Sequence, residues 1–349
     1  VAVVRYAAGH NIAVAGRGAG SGVAGESLSG GIVVDFRRYM NRIIGMLDHG
    51  TKIVCRPGVV LADLNNYLAK FGKKIGLDPS SGNRAVVGGV VANNATGAHS
   101  LQYGYIADHV AGLQTVLADS SLVDFENGCD PEKMDGTAAE ITKKCLALLV
   151  ENEKVIADSQ PSTRRNRSVY NGAGICSDGE IDIARLLTGS EGTLGLFTEM
   201  TLQTVDLPKA KGLLQMEFAS FEDMAQAVPV IVDGGAAACE LMDRKVMDVA
   251  LETLTQYSDV FPTGCECVLL VEQIGDNEEQ VRDKIEKCIA DVGELSCGMS
   301  TFFEPADQLR IWKSRKDAVP LLGRKRCAAR PIPFIEDVSV DNRRLAAPL

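Results

Sequence analysis

The sequence predicts an α+β protein built from two domains. Three observations carry this reading. The chain has 349 residues, more than one average core accommodates. Its first half places short strand patterns between long, polar, glycine-rich segments. After Pro208 the texture changes to strands alternating with charged helices, in "LLQMEFASFEDMAQAVPVIVDGG", "ACELMDRKVMDVALETL" and "CVLLVEQIGDNEEQVRDKIEKCIADVG". That alternation is the pattern of an open-faced α+β sandwich. The boundary is placed near Pro208, giving domains 1–208 and 209–349.

The elements follow in order. Residues 1–8 read as a helix that starts without a cap, so the sequence is taken as a fragment of a longer protein. His10 and Asn11 make a turn, and residues 12–15 a short strand that delivers "GRGAGSGVAG" (16–25). "GIVVDF" (31–36) and "TKIVCRPG" (51–58) are strands, with His49 in the turn before the second. In "VLADLNNYLAKFG" (60–72), Leu61, Leu64 and Leu68 fall at helical spacing and Gly72 closes the helix. "LDPSSGNRAVVGGVVANNATGAHSLQYG" (77–104) looks too polar for a core and too long for a turn, hence a functional loop. "VAGLQTVLAD" (110–119) is a strand, residues 137–150 a helix, and "STRRNRSVYN" (162–171) an exposed loop. "LLTGSEGTLGLFTEMTLQTVDLP" (186–208) is a turn followed by an alternating strand. Leu196, Thr198, Met200 and Leu202 are expected on one side, Phe197, Glu199, Thr201 and Gln203 on the other.

Composition excludes several classes. A formal charge of −10 disfavours nucleic acid and anionic membranes as partners. The densest basic groups, Arg164–Arg165–Arg167 and Arg324–Lys325–Arg326, are short and read as solvated surface. The ten cysteines include no C-x-x-C; the closest pair, Cys265 and Cys267, borders a strand pattern, so free thiols are expected rather than zinc or iron–sulfur ligands. No apolar run reaches membrane-spanning length, and no signal peptide opens the chain. The expected location is the cytoplasm, or the periphery of the inner membrane.

Gly20, Gly22 and Gly25 spell G-x-G-x-x-G, the pattern of a Rossmann nucleotide site. That mechanism needs a helix starting at the loop and an acidic residue about 20 positions on. Here "ESLSGGIVVDF" follows, Gly30 and Gly31 would break a helix, and Asp35 stands only ten residues after Gly25. The Rossmann reading fails. Successive glycines and Ser21 can still turn backbone N–H groups to one side as an anion nest, and a flexible surface hairpin is the alternative for this loop taken alone. Two further polar, glycine-rich segments support the nest: Ser80, Ser81, Gly88, Gly89, Asn93, Asn94 and Gly97 in one, Gly189, Ser190, Glu191, Gly192 and Gly195 in the other. All three are expected to converge on one long ligand.

"GRGAGSGVAG", "DPSSGNRAVVGGVVANNATGAHSLQYGYIADHV" and "LLTGSEGTLGLFTEMTLQTVDLP", in that order, resemble the FAD-linked oxidases of the vanillyl-alcohol oxidase superfamily. The resemblance spans roughly residues 1 to 340. It is greatest to the bacterial D-2-hydroxyacid dehydrogenases, which include D-lactate, glycolate and D-2-hydroxyglutarate enzymes. Among these the sequence looks most like the large members fused to an iron–sulfur region. The resemblance implies a PCMH-type FAD-binding domain of two α+β subdomains, then a ferredoxin-like cap domain. It implies noncovalent FAD, with Arg17, Gly18, Ala19, Gly20, Ser21 and Gly22 as the pyrophosphate loop and Glu26 and Ser27 close behind. Pro79, Ser80, Ser81, Gly88, Gly89, Asn94, Gly97 and Ala98 are expected along the pyrophosphate and flavin, and Glu191, Gly192, Gly195 and Leu196 near the ribityl and adenosine portions.

The implied reaction is oxidation of a D-2-hydroxy acid to a 2-oxo acid, with electrons passing on to an iron–sulfur module, an electron-transfer flavoprotein or a quinone. "QLRIWKSRKDAVPLL" (308–322) resembles the W-x-x-R segment of the cap, which makes Arg315 the carboxylate-binding residue. Read alone, that segment is a surface helix with Lys313, Arg315 and Lys316 solvated. Relatives commonly carry a lysine where Ile335 stands, which opens the substrate class. The iron–sulfur cluster, the divalent metal and the catalytic base are expected outside this chain. His99 and His109 flank the second loop; each reads as a loop histidine, with His99 the one that could approach the flavin. The alternatives are a flavoenzyme of the same fold acting on another alcohol, and a flavin-binding electron-transfer subunit with no substrate site.

Overall fold

The computed structural model describes residues 1–22, 24–163, 170, 172–177, 180–257, 259–322 and 338–345. The basic groups at 164–167 and 324–326, and Ile335, lie outside the described residues. By its contacts the α+β chain falls into two units. One is Val1–Gly97 with Gly104–Leu207, the other Ala98–Tyr103 with Pro208–Leu349. The short segment Ala98–Tyr103 therefore leaves the chain around it, which a single cut at Pro208 does not anticipate.

In the first unit, strands Val14–Arg17 and Ile32–Asp35 pair in parallel, from Val14↔Ile32 to Arg17↔Asp35. Parallel neighbours are usually joined by a helical crossover. Here residues 18–31 make the connection without a helix among those described. Five antiparallel strands form the main sheet, in the order Ile43–Leu47, Lys52–Cys55, Leu196–Gln203, Val110–Val116, Leu122–Glu126. The sequence patterns assign neither the first nor the last of these strands, although Leu122–Glu126 alternates strictly between exposed and buried residues. Helix Leu61–Ala69 turns Leu61, Leu64 and Leu68 into the core as its spacing predicts, and Gly72 follows at φ 70°.

Strand Leu196–Gln203 departs from the expected alternation. Phe197 faces Thr115 and Glu199 faces Gln114, so Thr198 is one residue too many for its partner. This bulge shifts the phase by one. The buried set becomes Phe197, Met200 and Leu202, and Phe197 joins the core rather than the opposite face.

The second unit has four strands in the order Ala238–Asp243, Cys267–Gly275, Ala210–Phe218, Gly298–Phe302, every pair antiparallel. Helices Phe221–Asp233 and Glu278–Val292 cross over one face, the β-α-β-β-α-β arrangement of a ferredoxin-like fold. Ser220 and Asn277 cap these helices by accepting from the N–H groups of Asp223 at 3.1 Å and Gln280 at 2.9 Å. Leu214, Met216, Val271, Ile231 and Ile285 fill this face. The other face packs Leu213, Val268 and Leu270 against helices Arg244–Thr253 and Pro305–Leu322.

Candidate functional site

The glycine segment after Arg17 keeps its backbone polar groups unspent. The N–H groups of residues 18–22 donate to no protein acceptor among the described residues. Gly20 (φ 63°) and Gly25 (φ 85°) take left-handed conformations that a side chain disfavours. A Cβ on Gly18 would lie 2.4 Å from Val86 Cγ2, so this turn can approach the second segment only as glycine. A row of unspent N–H groups next to the Arg17 side chain is a place for an anion.

The second segment is not the polar loop its composition suggests. Ala85, Val86, Val87, Val90 and Val91 are buried, and Val87–Ala92 is a short helix. The valines supply an apolar face that the count of Gly, Ser and Asn hides. Gly88 presses this helix on Pro57, where a Cβ would come within 2.5 Å of Pro57 Cβ. At the end of the helix Asn93 and Asn94 divide their roles. Asn94 adopts φ 43° and its Oδ1 accepts from the Ala107 N–H at 3.2 Å. Asn93 lines the cleft instead, and its Nδ2 donates to Glu26 Oε1 at 2.9 Å.

The third segment is laid on the end of that helix. The Gly189 N–H donates to Val91 O at 3.0 Å and the Glu191 N–H to Ala92 O at 2.9 Å. Glu191 (φ 52°) and Gly192 (φ 82°) reverse the chain. At Gly195 a Cβ would lie 2.4 Å from Thr115 Cγ2, which forces glycine just before the strand begins.

These three segments enclose one cleft of about 980 Å³, its solvent-facing mouth included. Arg17, Gly18, Ala19, Gly20, Ser21, Gly22, Glu26 and Ser27 all line it, as do Pro79, Ser81, Gly88, Gly89, Glu191, Gly192, Gly195 and Leu196. Four expected residues do not. Ser80 is exposed on its turn, and Asn94 is turned to Ala107. Gly97 packs on Asp78, where a Cβ would come within 2.4 Å of backbone, and Ala98 belongs to the second unit. The sequence reading missed the apolar wall of Phe36, Pro57, Val86 and Phe197; the signal was the position of Phe36, Pro57 and Phe197 at or just past strand ends and of Val86 at the start of helix Val87–Ala92. Among the described lining residues Arg17 is the one basic side chain, while Glu26 and Glu191 are acidic. Glu26 Oε2 is buried without a hydrogen-bond partner among the described residues. Unspent N–H donors, walls that only glycine permits and an orphaned acceptor fit a long, mixed-polarity ligand with a pyrophosphate.

In the second unit Arg315 lies on helix Pro305–Leu322, ion-paired with Glu240. It is not the solvated residue that its segment suggests in isolation, and its Nε is buried without a partner among the described residues. Trp312, three residues earlier, donates from Nε1 to Glu272 Oε2 at 2.9 Å. The other carboxylate oxygen, Oε1, receives His99 Nε2 at 2.9 Å and Lys211 Nζ at 3.2 Å. Burial pushes the Glu272 carboxyl up, but the hydrogen bond and charge of His99, then Lys211, outweigh it and hold the group at about 2. His99 does sit in a turn, just before the short helix Ser100–Tyr103, but it is a buried partner of Glu272. His109 is also buried, while His49 sits at φ 55° in its turn and exposed His10 bonds the Tyr6 carbonyl at 2.7 Å. Nine cysteines are free thiols, Cys327 lying outside the described residues. Among the described residues no group of three or more His, Cys, Asp or Glu could hold a metal, and no helix is long and apolar enough to cross a membrane.

Comparison with known proteins matches residues 1–126 to the FAD binding domain family and residues 207–349 to the C-terminal domain of FAD linked oxidases. The chain is 33% identical over 350 residues to a D-2-hydroxyglutarate dehydrogenase of Escherichia coli, covering 95% of this chain and 34% of that protein. It is 26% identical to the glycolate oxidase subunit GlcD of Bacillus subtilis, covering 97% of this chain and 61% of that protein. The chain spans about a third of the length of the D-2-hydroxyglutarate dehydrogenases it matches. In fold it resembles alkyldihydroxyacetonephosphate synthase, with a TM-score of 0.63 at 17% identity over 93% of this chain and 54% of that one.

Proposed function

This chain belongs to the FAD-linked oxidases, and on that premise we propose that it binds FAD noncovalently and serves the oxidation of a D-2-hydroxy acid to the 2-oxo acid. The observation that carries the reading is the convergence of three glycine-rich segments on one cleft whose walls admit only glycine at Gly18, Gly88 and Gly195. Bound FAD would supply a two-electron acceptor for the hydrogen carried by the alcohol carbon.

The chain's own residues do the holding. The N–H groups of residues 18–22 and the Arg17 guanidinium meet the pyrophosphate. Phe36, Pro57 and Phe197 exclude water from the apolar part of the ligand. Arg315 takes the substrate carboxylate through its planar fork, and Glu240 fixes the guanidinium in place. On this reading the acceptor of the hydroxyl proton, the metal ligands and any iron–sulfur cluster would lie outside this chain. The electron acceptor on this reading is an iron–sulfur module, an electron-transfer flavoprotein or a quinone.

One observation favours a second reading, a flavin-binding electron-transfer subunit. Arg315 already has a carboxylate partner, so its charge is neutralised before any substrate arrives. Anaerobic titration of the FAD-loaded full-length protein with D-lactate, glycolate, D-2-hydroxyglutarate and D-malate separates the two. Bleaching of the flavin band near roughly 450 nm by one of these acids, lost in Arg315→Ala, supports the dehydrogenase. No bleaching by any acid leaves the subunit reading. A protein that binds no flavin overturns both.

A further inference from the structure

Glu26 is a carboxylate set in the same cleft as the unspent N–H groups of residues 18–22 and the Arg17 side chain. Its Oε1 is occupied by Asn93, while Oε2 is buried without a partner among the described residues. Where it stands, the carboxylate lies against the loop: a Cβ on Gly22 would lie 1.4 Å from Oε1. An unpaired buried carboxylate oxygen is expensive, and one beside a pyrophosphate also repels it. A neutral hydrogen-bond donor removes the first cost and avoids the second.

We propose that Glu26 Oε2 accepts a hydrogen bond from a hydroxyl of the bound dinucleotide, of the ribose or of the ribityl chain; the inference rests on the FAD reading above. A hydroxyl is the donor that both portions offer and that the pyrophosphate lacks. Glu26 thereby fixes which way the ligand lies. The phosphates go to residues 18–22 and Arg17, which attract them, and a hydroxyl goes to the carboxylate, which would turn a phosphate away. The same residue makes the cleft discriminate a dinucleotide from a bare polyphosphate.

The test is equilibrium binding to the flavin-free chain, wild type against Glu26→Ala and Glu26→Gln, with FAD, FMN, ADP and inorganic pyrophosphate. A hydrogen bond to a charged acceptor predicts that Glu26→Ala weakens FAD by about tenfold or more. Pyrophosphate should bind Glu26→Ala as well as wild type or better. Glu26→Gln keeps the shape of the side chain and one carbonyl oxygen, and should fall between; it carries the test if the alanine variant does not fold. FMN has the ribityl chain without the ribose, and ADP the reverse. Whichever of them loses affinity in Glu26→Ala carries the hydroxyl. Both variants binding FAD as tightly as wild type, or tighter, overturns the inference alone. A folded wild-type chain that binds none of FAD, FMN and ADP overturns the FAD reading, and the inference with it.

Discussion

Replacing Glu272 by glutamine should destabilise the second unit by an amount that depends on pH in a specified way. The carboxylate is 1% exposed and receives His99, Lys211 and Trp312. Glutamine keeps the size and can still accept from Trp312, but its amide turns donors toward two donors and removes the charge that balances them. A carboxyl held at about 2 rather than its ordinary 4.5 contributes about 3 kcal/mol to the folded state at neutral pH. The folded value is depressed, so this contribution is complete above the unfolded value near 4.5 and fades as pH falls toward 2. The stability gap between wild type and Glu272→Gln should therefore be about 3 kcal/mol at pH 7, narrow below pH 4.5 and close near pH 2. Trp312 is the only tryptophan in the chain, so intrinsic fluorescence during urea unfolding reports this network directly. At a urea slope of about 1–3 kcal/mol per molar, the midpoint should fall by about 1–3 M. A gap below about 1 kcal/mol at pH 7, or a gap that does not change between pH 7 and pH 3, would refute the reasoning. Either result would mean that water reaches the carboxylate and supplies what His99 and Lys211 are argued to supply.

Three further outcomes are expected. Gly88→Ala drives a Cβ to 2.5 Å from Pro57 Cβ and 3.0 Å from its carbonyl oxygen. It should lower stability by about 1–3 kcal/mol in thermal unfolding and weaken FAD in a fluorescence titration. An alanine variant with wild-type values for both would show that the helix has room to retreat. Phe197→Ala empties a core position and should cost about 3–5 kcal/mol, whereas Thr198→Ala at the bulge should cost under about 1 kcal/mol. The reverse ranking in denaturant unfolding would restore the simple alternation. Burial pushes the thiols of Cys55, Cys239 and Cys267 up to about 12, while Cys297 is exposed. N-ethylmaleimide at pH 8 followed by peptide mass spectrometry should label Cys297 in the folded chain and spare those three. Early labelling of Cys55 would contradict its place in the core.

Much of the cleft is legible in the sequence, and for a local reason. Gly20 and Gly25 must occupy left-handed backbone, and Gly18, Gly88 and Gly195 must admit a close neighbour. Requirements of that kind show directly as residue types. So does the failure of the Rossmann pattern, since too few residues separate Gly25 from the next strand for a crossover helix. The four-stranded unit is legible for the same reason, because its strands and helices each carry their own periodicity and caps.

What the sequence determined by itself is thus the glycine framework and the α+β class. Tertiary structure alone decided the rest. Asn93 and Asn94 are identical in type, and only the end of helix Val87–Ala92 turns one to Glu26 and the other to Ala107. Thr198 bulges because Leu196–Gln203 must match Val110–Val116 as well as its own alternation. His99 reads as part of a glycine-rich loop, yet it is buried against Glu272, 173 positions away in the chain. Local patterns report the conformation each residue can adopt. They do not report which distant segment completes its hydrogen bonds, and that choice is made only when the whole chain packs.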